Sequence, residues 1–332
     1  MMTAIRTVLA LAIGLMSASP AALAVQTTNP SDMHWDAGAD PCPAVVKTPL
    51  EVQAYDAHTY ILRENLCSTW EAPFVYLLVG DKEALLIDTG DVADPKLMPL
   101  AQTVLGLLPT TGGSRLPLLV VHSQTHLDHR AGDPQFQGLP GVTVVAAQLP
   151  SVKSYFGFKH WPEGSAELDL GGRIVDVLPA PGHNVAHVVY YDRNTAILFS
   201  GDFLLPGRLL VDDYKAYVAS AARVAAFVKD RPVSYVLGGH IEKDKGGVLF
   251  DWQSTLHPNE HPLPLGKDDV LALPAALSRF NGFYTETGGF TIMNPMHNLE
   301  VTAALVLLVL GILGYLLYRL VRRLKRKRRN LS

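Results

Sequence analysis

Directly after the apolar run at residues 116–121 stands Gln124-Thr125-His126-Leu127-Asp128-His129. The run reads as a buried strand, so two imidazoles and a carboxylate arrive within four residues at its end. Without partners those groups would be costly to take out of water. Their convergence on a metal ion resolves the cost, and it requires a fold in which other strand ends meet this one.

Further candidate ligands occupy such ends. His183 closes Pro179-Ala180-Pro181-Gly182-His183, Asp202 closes Phe199-Ser200-Gly201-Asp202, and His240 closes Gly238-Gly239-His240. The glycines allow a sharp turn and a close backbone approach. Neutral imidazole and carboxylate are the donors that a zinc-like ion takes at about 2.0–2.2 Å. One such histidine alone would more often be a structural or surface residue. Several at successive strand ends point to a site on a rigid scaffold.

Strand signals run through both halves of the chain. In the first they cover residues 52–62, 74–79 and 84–87, with Gly80-Asp81-Lys82-Glu83 as a hairpin loop and Asp88-Thr89-Gly90 as the following turn. Residues 95–108 space Leu97, Leu100, Val104 and Leu107 as one face of a helix. In the second half, 142–147, 172–178, 188–192, 195–201 and 233–237 read as strands, 151–161 as an aromatic loop or lid, and 214–229 as a helix. Two strand-rich halves, each followed by helix, predict two facing sheets with helices outside. Residues 25–47 read as an N-terminal extension, and 263–300 as a connector back to a membrane.

The two ends of the chain define its topology. Residues 1–24 have the form of a cleavable signal peptide: Arg6, a ten-residue apolar stretch and Ala22-Leu23-Ala24. Residues 301–318 carry no charge and would span about 27 Å as a helix, close to one hydrocarbon thickness. Eight Lys and Arg residues follow in 319–329, a flank that stays cytoplasmic. The expectation is an inner-membrane protein with an exported, periplasmic domain and a basic tail at 319–332. The chain has 28 Lys and Arg against 31 Asp and Glu. Without Arg6 and the eight tail cations, 19 stand against 31, a net charge of −12 that argues against nucleic acid as a partner. The two cysteines, Cys42 and Cys67, would be in an oxidising compartment and are a candidate disulfide.

The motif at 124–129 resembles the His-x-His-x-Asp-His signature of the metallo-β-lactamase superfamily, with Gln124 at the first histidine. The resemblance extends over about residues 50–245, through Asp88-Thr89-Gly90, Pro181-Gly182-His183, Gly201-Asp202 and Gly239-His240. The Gly182-His183-x-x-x-His187 spacing is similar to the glyoxalase II branch. The resemblance implies an α/β fold, the αββα sandwich, over residues 48–262. It implies one metal at His126 and His183, with Gln124 in third place. A second would lie at Asp128, His129 and His240, with Asp202 bridging the two. His122, His187 and Asp88 are candidates to support the ligands. His122 would share the side of Gln124 if the strand continued to that point, and an amide is a weaker zinc ligand than imidazole.

The activity implied is zinc-dependent hydrolysis of an ester, thioester, lactone or β-lactam bond in a small-molecule substrate. A water with its pKa lowered towards about 7 would be the nucleophile, and Asp128 would be the catalytic residue that orients it. Tyr190 and Tyr191 are expected in sheet packing with their hydroxyls satisfied, and His160 and Trp161 are candidates to cover substrate. Two alternatives stay open. One is a membrane-anchored binding or scaffold protein with a degraded metal site. The other is an iron-dependent persulfide dioxygenase, which needs the histidine that Gln124 replaces.

Overall fold

The structure is a computed structural model that describes residues 27–329, so the expected signal peptide at 1–24 lies outside the described residues. In the first half, β1 (Leu50–Asp56), β2 (Thr59–Glu64), β3 (Phe74–Val79) and β4 (Ala84–Ile87) are followed by α1 (Leu100–Leu107). A short hairpin, β5 (Thr110–Thr111) with β6 (Ser114–Arg115), leads into β7 (Leu118–Val121) and β8 (Val142–Val144). The first sheet has the order β1-β2-β3-β4-β7-β8, antiparallel as far as β4 and parallel beyond it.

After α2 (Leu149–Phe156) come β9 (Ala166–Asp169), β10 (Ile174–Pro179), β11 (Val188–Asp192) and β12 (Ile197–Gly201). Then follow β13 (Arg208–Leu210), α3 (Tyr214–Lys229), β14 (Tyr235–Gly238), β15 (Pro264–Leu265) and α4 (Lys267–Ser278). The second sheet runs β15-β14-β12-β11-β10-β9. β16 (Tyr284–Glu286) and β17 (Thr291–Met293) form a small third sheet with β13, before α5 (Pro295–Arg329).

The alternation of side chains explains the layers. In β3, Phe74, Tyr76 and Leu78 enter the core between the two large sheets, whereas Val75, Leu77 and Val79 face the outer layer with α1. Strands buried on both faces read as continuous apolar runs, and β3, β7 and β11 are such runs. On the far side, Val189, Tyr191 and Leu198 pack against Tyr217, Ala221 and Val224 of α3 and Val270 and Leu273 of α4. The layers are therefore helix, sheet, sheet, helix. The Arg173 guanidinium bonds Asp192 at 2.7 Å and also His58 O at 2.8 Å and Thr59 Oγ1 at 2.8 Å, tying the second sheet to the first.

Four local expectations are corrected. Residues 52–62 form a hairpin rather than one strand, because the Asp56 carboxylate accepts from His58 N at 2.8 Å and closes a turn. The helix expected over 95–108 begins at Leu100, after Pro99, and Leu97 is exposed. Residues 151–161 are not a free lid. Most of the segment's first half is α2, and Val152 and Phe158 are buried in the inter-sheet core with Trp161 packed against it. Residues 263–300 are more than a connector: α4 covers the second sheet, and β17 pairs in parallel with β13.

Cys42 and Cys67 are disulfide-bonded, with Cα atoms 5.5 Å apart. The bond staples the N-terminal extension to the loop after β2. α5 is 35 residues long, and its most apolar window has a mean hydropathy of 2.4, long and apolar enough to cross a membrane.

Candidate metal centre

The site lies where β4, β7, β12 and β14 end at the same edge of the sandwich. β7 ends at Val121, and the chain then turns because Asp88 accepts from Ser123 N at 2.7 Å and from Ser123 Oγ at 2.8 Å. Asp88 has a positive φ of 68°, a left-handed conformation that Asp tolerates better than most residues. That turn, followed by one turn of 3-10 helix at Leu127–His129, presents His126, Asp128 and His129. Gly239 allows the β14 end to come close: a Cβ there would lie 2.5 Å from Asp202 Oδ1. At Gly182, φ is 146° and a Cβ would meet Tyr217 at 2.4 Å, so glycine alone suits the turn before His183.

Two groups of ligand atoms converge, one from Asp128, His129, Asp202 and His240, the other from His126, His183 and Asp202. Within each, all atoms lie within 4.8 Å of one another. Asp202 belongs to both. His129 Nε2 lies 2.9 Å from Asp128 Oδ2 and 3.2 Å from Asp202 Oδ2. His240 Nε2 lies 3.2 Å from Asp128 Oδ2. In the other group, His183 Nε2 is 3.3 Å from His126 Nδ1 and 3.4 Å from Asp202 Oδ2.

The opposite ring nitrogens define what these atoms can be. His129 Nδ1 faces Asp88 Oδ2 at 2.9 Å, His183 Nδ1 faces Leu210 O at 3.1 Å, and His240 Nδ1 faces Glu71 O at 2.7 Å. Each partner is an acceptor, so in the neutral ring Nδ1 carries the proton and donates, and Nε2 presents a lone pair. Three such lone pairs point at carboxylate oxygens or at another imidazole nitrogen. Acceptors facing acceptors at these distances are reconciled by positive charge. Gln124 Oε1 and Asp202 Oδ1 are two more buried acceptors in the cluster without a hydrogen-bond partner among the described residues. The donor set therefore fits one or two divalent ions of the zinc type, with three of the imidazoles oriented by the partners that metal-ligating histidines usually have.

Electrostatics agree with that reading. Burial disfavours charge on His129 and His240, yet the surrounding Asp128 and Asp202 overcome it: His129 is raised well above its ordinary value and His240 to about 10. Burial likewise works against ionised Asp128 and Asp202, but His129 and His240 hold both well below the usual carboxylate range. His126 is lowered by burial and by neighbouring His183. The two carboxylates stay ionised although buried because positive charge lies beside them, carried by His129 and His240.

Gln124 reaches the centre through its amide: Nε2 donates to Asp202 Oδ2 at 2.7 Å. His122 does not share its direction. The His122 ring bonds Val145 O at 3.0 Å and Asp133 Oδ1 at 2.7 Å, because the turn after Val121 breaks the strand alternation on which a shared side depends. His187 is fully buried between His183 and Phe203, and burial drives it well below its usual pKa. It packs against the candidate ligand His183 and hydrogen-bonds none of the candidate ligands. The hydroxyls of Tyr190 and Tyr191 donate to His122 O and Pro232 O. Trp161 packs on Phe158 at 5.6 Å. Sequence reasoning did not single out Ser123, Glu71 or Leu210. Two of these act through main-chain carbonyls, which leave no side-chain signal.

The family model of the metallo-beta-lactamase superfamily matches residues 68–240, from the loop before β3 to the last histidine of the centre. The acyl-coenzyme A thioesterase MBLAC2 of Gallus gallus is 27% identical over 213 residues, covering 54% of this chain and 76% of its own. The hydroxyacylglutathione hydrolase of Vibrio parahaemolyticus is 30% identical over 210 residues, covering 61% and 73%. Among solved structures, a metallo-beta-lactamase from Hirschia baltica aligns with 70% of this chain and 100% of its own, with a TM-score of 0.48 and 14% identity. With the family model matching more than half of the chain, the chain belongs to the metallo-beta-lactamase superfamily.

Proposed function

We propose that this protein is a zinc-dependent thioester hydrolase, its catalytic domain exported to the periplasm and its α5 crossing the inner membrane. The observation that carries the hydrolase reading is the convergence of imidazole lone pairs and carboxylates on Asp202. The thioester preference is supported by the names of the two relatives, an acyl-coenzyme A thioesterase and a hydroxyacylglutathione hydrolase. The export reading is supported by the signal pattern at residues 1–24, the disulfide, and the cationic flank after the apolar run.

His126 and His183 would hold one ion and Asp128, His129 and His240 another, with Asp202 between them. Zinc bound there supplies Lewis acidity and an activated water. The chain's own residues do the positioning. Asp128 is the more open of the two central carboxylates, and His129 and His240 keep it ionised. It can therefore accept a hydrogen bond from a water beside it and direct the lone pair of that water at a carbonyl carbon. Asp88, Leu210 and Glu71 fix the rings of His129, His183 and His240, so that these three do not reorient as charge develops.

The purified full chain in detergent, measured for metal by elemental analysis and assayed against thioester, lactone and β-lactam substrates, tests this. Near-stoichiometric zinc with thioester turnover supports the proposal. Absence of bound zinc from protein purified without chelator, together with no turnover in added zinc, overturns it in favour of a scaffold.

A further inference from the structure

The membrane helix is rooted in the metal centre, with almost no stalk between them. β17 ends at Met293, α5 begins at Pro295, and the uncharged run begins at Val301. Six residues of helix rise about 9 Å, comparable with the polar interfacial layer on one side of a bilayer. The β16–β17 hairpin therefore lies at the membrane surface when α5 spans.

The residues exposed there suit that surface. Phe283, Tyr284, Met296 and Leu299 are all exposed. Phe283 packs on His297 of α5 at 4.9 Å, and its carbonyl accepts from Asn298 Nδ2 at 3.2 Å, so this aromatic loop is fastened to the first turns of the helix. Tyrosine and tryptophan favour the interfacial layer, with an apolar body and a polar tip. A domain with a net charge of −12 gains nothing from anionic headgroups, so aromatic contact is the available attraction.

The same edge leads to both halves of the centre. Met293 is registered with Leu210, whose carbonyl holds His183. Thr291 is registered with Arg208, whose guanidinium covers the exposed Trp252 ring at 4.4 Å. Trp252 packs on Trp70 at 6.3 Å, and the next residue, Glu71, supplies the carbonyl that holds His240. Two apolar side chains on the ligand loops complete the path. Leu127 is 61% exposed between His126 and Asp128, and Val185 is 64% exposed two residues after His183. A hydrophobic lip beside a charged centre is a place to lay an acyl chain.

Resting on the hydrolase reading above, we propose that the enzyme works at the bilayer surface on a long-chain acyl thioester, whose hydrocarbon part partitions into the membrane and reaches the metal centre over this aromatic edge. Full-length protein in phosphatidylcholine vesicles tests the placement without turnover. Tryptophan emission should be quenched by lipids brominated near the headgroup, and part of that quenching should vanish in Trp252→Phe. A palmitoyl thioester and an acetyl thioester, assayed with zinc in the same vesicles, test the substrate class. In Phe283→Ser/Tyr284→Ser the palmitoyl-to-acetyl ratio of kcat/KM should fall about tenfold, the equivalent of ~1.4 kcal/mol. An unchanged ratio, or a wild type that prefers the acetyl thioester, overturns the substrate class. No quenching in the wild type overturns the placement, whatever the enzyme hydrolyses. Quenching without turnover of any thioester overturns the hydrolase reading and with it the substrate class, while the placement stands.

Discussion

Asp88→Asn changes one heavy atom of a buried residue, yet the geometry makes it a severe lesion. Asp88 Oδ1 accepts from Ser123 N, and Oδ2 accepts from Ser123 Oγ and from His129 Nδ1 at 2.9 Å. Asparagine can keep the first bond with its oxygen, which leaves its NH2 facing His129. Two donors then oppose each other in a fully buried place. The cheapest relief is for His129 to change tautomer, placing its proton on Nε2, where it donates to Asp128 Oδ2, already 2.9 Å away. The nitrogen needed as a ligand is then blocked. Losing such a supporting partner commonly weakens metal affinity by about 10–100-fold, or ~1.4–2.7 kcal/mol. Zinc titration against a chromophoric chelator would measure it, with circular dichroism to show that the fold is retained. The weaker of two bound ions should be lost first in the variant. Unchanged affinity in a folded Asp88→Asn protein would refute the tautomer argument, because His129 would then take its orientation from elsewhere.

Four further outcomes follow from the same structure. Gln124→His should raise zinc occupancy at His126 and His183 under limiting metal, since imidazole is the better donor; unchanged or lower occupancy in a chelator titration would show that position 124 serves Asp202 alone. Asp128→Ala should reduce kcat/KM for a thioester more than Gln124→Ala does, and equal losses would remove the orienting role given to Asp128. Cys67→Ser opens a disulfide between residues 25 apart and should cost about 3.5 kcal/mol by the loop-entropy relation; a shift below about 1 kcal/mol in urea denaturation would mean that the extension is held by its other contacts. Burial raises the Glu64 carboxyl from 4.5 to about 8 against the hydrogen bond from Asp91 N, so the folded state keeps a proton that the unfolded chain loses. Its contribution is full below pH 4.5 and is lost as pH rises through about 8, and Glu64→Gln should flatten that part of a Tm-versus-pH curve.

The two-sheet architecture was legible because strands buried on both faces leave long apolar runs, and because Gly201, Gly238 and Gly239 mark where strands stop. His183, Asp202 and His240 could be picked out for the same reason: polar groups directly after a buried strand need a partner. The hairpin turn between β1 and β2 was not legible, since it has neither glycine nor proline and depends on the Asp56 side chain. α4 was hidden by Pro274 inside the helix and by a weak apolar face. α2 was masked by Pro150 in its first turn and by aromatic residues that resemble a surface loop until Val152 and Phe158 find the inter-sheet core.

His122 points away from Gln124 for a reason that applies to the whole centre. Alternation describes a strand only while the ladder lasts, and here the ladder ends at Val121, where Asp88 captures Ser123 N. From that residue on, side-chain directions are set by single hydrogen bonds rather than by a repeating pattern. The partners of His183 and His240 are main-chain carbonyls at Leu210 and Glu71, whose residue types are irrelevant to the bond they accept. Ligand identity is written in side chains and can be read from a sequence. Ligand orientation at this centre depends on where β13 and the loop before β3 pass, and only the assembled sandwich determines that. The Leu210 carbonyl lies in a strand paired with the one that feeds α5. A perturbation of α5 that displaces β17 should therefore reach His183 before it reaches His129, whose orienting partner, Asp88, lies in the first half of the fold.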